Sequence, residues 1–159
     1  YLGSRTSSST DLSGTVSVDK AATGSGTYVW VRGRRVAGAG DYRTRLWWQS
    51  VNVLRVSLAR TDAAATETAI GGSVVLAGGV TAGEQLSFRM QVTGTGPTTL
   101  RAKVWRAGQS EPIAWTVSAT DSTAALQAPG YVGVTTYLSG TATNAPVVVS
   151  IYDWRAAAP

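Results

Sequence analysis

Nine carboxylates and fourteen basic side chains, all but Lys20 and Lys103 of them arginine, are the groups in this 159-residue chain with the most to offer chemically. Histidine and cysteine are both absent. The commonest general base and the commonest zinc ligand are therefore missing. A serine nucleophile would lack its usual partner, and neither a disulfide framework nor a thiolate metal site can form. Carboxylates alone could still hydrolyse a glycoside, provided two of them stand across the scissile bond at roughly 5 to 10 Å. The acids are Asp11, Asp19, Asp41, Asp62, Glu67, Glu84, Glu111, Asp121 and Asp153. Nearly all fall at the ends of expected strands or in the loops between them, where no pairing is apparent. Catalysis is not expected.

The arginines follow a different pattern, because many alternate with aromatic residues on one parity of an expected strand. Tyr28, Trp30 and Arg32 form one such set, Arg43, Arg45 and Trp47 a second, Arg55 a third, and Arg101, Lys103 and Trp105 a fourth. Aromatic rings offer flat apolar faces with polar edges that suit stacking on sugar rings. Arginine beside them presents a fork of donors to hydroxyls, carboxylates or phosphates. The expected ligand-binding set is Tyr28, Trp30, Arg32, Arg43, Arg45, Trp47, Arg55 and Trp105. Its natural partner is a cell-surface or cell-wall glycan, and an anionic one fits the arginines. Two competing readings remain open. The same residues can stack on each other as cation–π ladders without a ligand, or be covered by a neighbouring domain or subunit. A single-stranded nucleic-acid platform also mixes aromatics with arginine, but a net charge of +5 is modest and no nucleic-acid-binding fold is recognisable, so that partner is not expected.

The elements that must position these side chains are read from period-2 alternation. Strands are expected over 11–20, with Leu12, Val16 and Val18 inward; over 27–35, with Val29 and Val31 inward; over 42–48, with Tyr42, Thr44, Leu46 and Trp48 on one side; and over 52–60, with Leu54, Val56 and Leu58 inward. Residues 61–69 form a polar, alanine-rich excursion with room for a short, poorly capped helix, and 73–76 a short apolar strand. Strands follow over 84–93 and 98–105, then an extended run around Trp115 and one helical turn started by Asp121 or Ser122 and ending at Leu126. The last two strands are 131–137 and 146–154, the latter the most hydrophobic, with Val147, Val149 and Ile151 opposite Val148, Ser150 and Tyr152. Trp48 and Trp115 are assigned to the core. About nine short strands with regularly spaced turns and almost no helix indicate an all-β sandwich, and the strand count favours a jelly roll over a seven-stranded immunoglobulin fold. The domain is expected over 11–154, with 1–10 an exposed lead-in or edge segment and 155–159 a tail or linker. No apolar run reaches the length of a membrane span, so membrane insertion is not expected.

The stretches GRRVAGAGDYRTRL (33–46), VTGTGPTTLRAKVWRAGQSEPIAW (92–115) and SATDSTAALQAPGYVGVTTYLSGTATNAPVVVSIYDW (118–154) resemble a domain of the concanavalin A-like, laminin-G-like group of jelly-roll sandwiches. Such domains occur in large secreted proteins of actinobacteria and in tail proteins of phages that infect them. The resemblance implies a two-sheet antiparallel jelly roll used as a non-catalytic carbohydrate-binding or adhesive module, extracellular or virion-associated. The alternative it implies is a structural tail or decoration domain that packs on a neighbouring subunit. It also implies further strands upstream of YLGS, which this chain is expected to lack. At WWQSVN (47–52) the sequence departs from the family's polar turn. The acids do not form the E-x-D-x-x-E pattern of jelly-roll glycosidases. The resemblance would place a structural calcium ligand at Asp153, helped by Asp11 or Asp41. Calcium takes six to eight oxygens and no D-x-D-x-D cluster supplies them, so a solvated or ion-paired Asp153 is the preferred reading.

Overall fold

A computed structural model describes residues 5–50 and 52–159. Ten strands follow in order: β1 Thr10–Val18, β2 Thr27–Val36, β3 Gly40–Gln49, β4 Val53–Thr61, β5 Glu67–Val75, β6 Leu86–Thr93, β7 Thr98–Arg106, β8 Val117–Asp121, β9 Tyr131–Leu138 and β10 Val149–Ala157. One turn of 3-10 helix, Ala124–Leu126, lies between β8 and β9. The strands form two five-stranded sheets, ordered β10-β1-β6-β7-β8 and β5-β4-β3-β2-β9, and every pairing is antiparallel. The protein is thus an all-β, two-sheet antiparallel sandwich of the jelly-roll type.

Alternation explains how the sheets stack. Leu12 and Val16 of β1, Leu86 and Met90 of β6, and Leu100 of β7 are buried, as are Val29 and Val31 of β2, Leu46 and Trp48 of β3, and Leu54 and Val56 of β4. Successive strand side chains point to opposite faces, so each inward set joins a common core. Removing a Val- or Leu-sized side chain from water contributes about 1.5–3 kcal/mol. The intervening residues are left on the two outer faces.

One irregularity redirects a charged side chain. Arg32 opposes Arg43, but Arg34 opposes Tyr42, so Gly33 is an extra residue in β2. Such a bulge breaks the alternation, and Arg34, which simple parity would place outward, is fully buried. Gly33 faces the other sheet so closely that a Cβ there would stand 2.9 Å from Met90 Cε and nearer still to Val92 Cγ2. Arg34 donates through Nη1 to Thr98 Oγ1 at 2.9 Å and Leu126 O at 3.2 Å, and through Nη2 to Gly94 O at 2.7 Å and to Ser8 O. One buried guanidinium therefore ties the N-terminal segment, the β6–β7 turn and the 3-10 turn to β2.

Three expectations need correction. The segment 61–69 is not helical: a turn at 62–65 leads directly into β5, whose pairing with β4 begins at Thr61↔Glu67. The last strand is shifted along the chain and takes in residues expected to be a tail. It runs from Val149 to Ala157 along the sheet edge, where Ile151 and Tyr152 stay 37% and 42% exposed. Trp115 is not in the core either; it precedes β8 and lies over Arg101 and Lys103, each 4.6 Å from its ring centroid. Trp48, at 5% exposure, is a core residue as expected.

Candidate ligand-binding face

Strand register brings most of the expected binding residues onto one surface, the outer face of the β5-β4-β3-β2-β9 sheet. Tyr137, Tyr28, Trp47, Arg55 and Val75 are successive cross-strand partners, so they form a row running across all five strands. The next row holds Thr135, Trp30, Arg45, Ser57 and Ser73, and a third begins with Gly133, Arg32, Arg43 and Ala59.

The rings are packed against one another. Tyr28 stacks nearly parallel on Trp30 and on Trp47, with centroids 5.5 and 5.2 Å apart. Tyr137, 52% exposed, leans against Tyr28 and Trp30 at 50° and 39°. These separations fall in the range where offset aromatic pairs attract. Arg43 lies over Trp30 at 5.6 Å and Arg45 over Trp47 at 5.3 Å, so the cation–π ladder is present. Trp47 Nε1 donates to Ser25 O at 2.8 Å, which fixes the indole's orientation.

Two carboxylates organise the arginines. Asp41, fully buried, accepts from Arg43 Nε and Nη2 at 2.6 and 2.7 Å and lies 3.4 Å from Arg32 Nη1 and 3.8 Å from Arg35 Nη1. Glu67, carried by the strand found where a polar excursion was expected, takes Arg43 and Arg45, each at 3.2 Å. Burial pushes the Arg32 guanidinium below its ordinary pKa; Asp41 opposes that fall, while Arg43 and Arg35 add to it. Arg55 is held by Gln49 Oε1 at 3.3 Å and Ser73 Oγ at 3.0 Å.

Trp105 does not belong to this surface. It stands on β7 opposite Ser87 of β6, on the outer face of the other sheet, and the two outer faces point in opposite directions. The same holds for Arg101 and Lys103, which are engaged around Trp115 and Gln91, with Lys103 Nζ 2.7 Å from Glu111 Oε1. Asp153 sits exposed at a bulge in β10 with φ 51°. Asp11 is bound to Arg89 and Gln91, and Asp41 lies in its arginine cage, so the three suggested calcium ligands do not converge. Among the described residues no group of three or more acidic side chains is placed to hold a metal ion.

The other acids are also engaged. Asp121 accepts from Tyr42 Oη at 2.6 Å and Arg60 Nε at 3.2 Å. Burial would raise its pKa, but hydrogen bonds from Tyr42 and Thr123 and the charge of Arg60 outweigh it and hold the carboxyl low. Asp11 behaves alike: burial is opposed by bonds from Arg89 and Gln91 and by the charges of Arg89 and Arg101, with a net lowering. Glu111 is lowered by its bonds to Lys103 and then Arg89. A cleft of about 450 Å³ lies away from the aromatic face, lined by Arg5, small hydroxyl residues, Val132 and the alanines ending β10. It holds no aromatic or acidic side chain, so the aromatic face is the stronger candidate.

Sequence reasoning missed Tyr137, Asp41 and Glu67 as parts of this face. Tyr137 shares the outward parity of Thr135, and Asp41 shares that of Arg43 and Arg45, so alternation could have placed both. Glu67 carried no such signal while its segment was read as an excursion.

Neither a protein-family model nor a curated protein matches the chain. Among solved structures it is similar to a mutant of the GH43 protein BlXynB from Bacillus licheniformis, with a TM-score of 0.55 and 11% identity over 96% of this chain and 28% of that one. A structure of the polysaccharide lyase family 18 protein aly-SJ02 r-CATD aligns with a TM-score of 0.47 and 12% identity, covering 94% of this chain and 71% of that one. The likeness to the GH43 protein is one of fold, and the chain spans 28% of that protein's length.

Proposed function

We propose that this domain is a non-catalytic carbohydrate-binding module of a larger secreted, cell-surface or virion-associated protein, with the outer face of the β5-β4-β3-β2-β9 sheet as its ligand surface. The observation that carries the proposal is the assembly of Tyr28, Trp30, Trp47 and Tyr137 on that one outer face. Aromatic residues cost little side-chain entropy when already packed, and the exposed Tyr137 beside the stacked group is available to a sugar's apolar side. The fold-level likeness to a GH43 protein supports a carbohydrate context by analogy only. The non-catalytic part rests on the acids. A glycosidase needs a carboxyl held protonated by a raised pKa, whereas Asp11, Glu111 and Asp121 are lowered and Asp41 is caged by three arginines.

Calorimetry against a panel of soluble oligosaccharides tests the reading. Binding should be lost in a Trp30→Ala, Trp47→Ala double variant that keeps its far-UV circular dichroism; undiminished binding would remove this site, and hydrolysis of any panel member would remove the non-catalytic assignment.

A second reading follows from the same stack. The rings and arginines already satisfy one another, as they would on a surface covered by a neighbouring subunit such as a phage-tail component. A monomer by light scattering whose tryptophans are freely quenched by iodide would count against it.

A further inference from the structure

The aromatic face carries a charge imbalance that ring stacking does not account for. Among the described residues, Asp41 and Glu67 are its carboxylates, and Arg32, Arg35, Arg43 and Arg45 all converge on these two groups. Arg55 stands apart. Its hydrogen-bond partners, Gln49 and Ser73, are neutral, and it forms no ion pair among the described residues. Five guanidinium groups thus share a surface with two carboxylates.

Register places Arg55 where that excess matters. It is the direct cross-strand neighbour of Trp47, which neighbours Tyr28, which neighbours Tyr137. Adjacent strands lie about 4.8 Å apart, so the three steps from Tyr137 to Arg55 span about 14 Å. That row suits a chain of several sugars lying across the strands better than a single monosaccharide. It is aromatic over three positions and cationic at the fourth. Gln49 and Ser73 fix the guanidinium through Nε and Nη1 and, among the described residues, leave Nη2 without an acceptor. A planar carboxylate or a tetrahedral sulfate or phosphate fits such a fork.

We propose that the face binds an acidic polysaccharide laid across the strands along Tyr137, Tyr28 and Trp47, with an anionic substituent of the chain received by Arg55. This rests on the glycan-binding reading above and adds to it the ligand's charge, its direction and the residue that reads the charge. Arg55 is a specificity residue here; the arginines tied to Asp41 and Glu67 hold the rings in place.

The test compares three probes by calorimetry in low salt: an oligogalacturonate, a sulfated oligosaccharide of similar length, and neutral cellohexaose. The wild-type protein should bind at least one acidic probe about tenfold or more tightly than cellohexaose, as a single charge-assisted contact provides, and that preference should shrink as salt is raised. Arg55→Gln should abolish the preference, so that acidic and neutral probes bind this variant alike, whereas Trp47→Ala should weaken every probe. The two acidic probes separate a carboxylate from a sulfate-type ligand. Equal affinity for neutral and acidic probes, an acidic preference that survives Arg55→Gln, or one untouched by salt overturns the inference and leaves glycan binding standing. Absence of binding to all three overturns both. The salt series on wild type needs no variant, so the inference stays falsifiable if Arg55→Gln folds poorly.

Discussion

Arg43 grips Asp41 with both Nε and Nη2, at 2.6 and 2.7 Å, from two positions along the same strand. The carboxylate is fully buried and also faces Arg32 and Arg35. Residues two apart on a strand share a face, so β3 brings its own counterion to the arginine that lies over Trp30. Asp41 is consequently the electrostatic anchor of the whole aromatic face.

Asp41→Asn should therefore be costly. It keeps the shape but leaves three guanidiniums without their shared charge, and breaking a buried ion pair from one side costs about 3–5 kcal/mol. Glu67→Gln, at a partly exposed position, should cost under about 1 kcal/mol. Urea unfolding of the two variants checks the order; equal losses would mean that Asp41 is not the anchor.

Arg34→Met should rank among the most damaging single changes. Thr98 Oγ1 and the carbonyls of Ser8, Gly94 and Leu126 would each lose a donor; Thr98 Oγ1 and Gly94 O still bond each other, while a buried group left unsatisfied costs about 1–3 kcal/mol. Arg35→Met, two-fifths exposed, serves as the matched control. The expected outcome is a drop in Tm of many degrees for the first and little change for the second.

Gly33→Ala should destabilise by about 1–3 kcal/mol through overpacking, because the new methyl would press on Val92 and Met90. Combining it with Val92→Ala should return part of the loss, and a double-mutant cycle would read that coupling. Additive losses would mean that the bulge glycine is needed for its backbone and not for clearance.

Stability should be flat over a wide pH range and fall at both ends. No histidine titrates near neutrality. Asp11, Glu111 and Asp121 have lowered pKa values in the folded state, so their contribution is fully present above the ordinary carboxylate range and is lost as pH falls through it, below about 4.5. Tyr42 is raised, chiefly by burial and then by its bond to Asp121, so its contribution is present below the ordinary tyrosine value and declines as pH rises past about 10. Thermal melts from pH 2.5 to 11 check both limbs. Asp121→Asn should make the acid limb shallower, and an unchanged limb would show that other carboxylates dominate it.

Much of the molecule was legible as local pattern. Two-residue alternation located most of the strands, the core positions from Leu12 to Val104 and the outward parity of Tyr28, Trp30, Arg43, Arg45 and Trp47. It could not say which outward sets share a surface. Trp105 has the same parity signature as Trp47, yet the two lie on opposite outer faces, because sheet membership is decided by pairing between strands distant in sequence. Parity also fails where the backbone breaks its own period: the bulge at Gly33 makes Arg34, which alternation alone would place outward, a buried tie between four segments. Glu67 became legible only once β5 was paired to β4, since an alanine-rich polar segment has no strand signal of its own. A side chain's parity is a local property of its strand, so the sequence by itself determined it; which parities meet, and which charge answers which, depends on long-range pairing that only the tertiary structure decided.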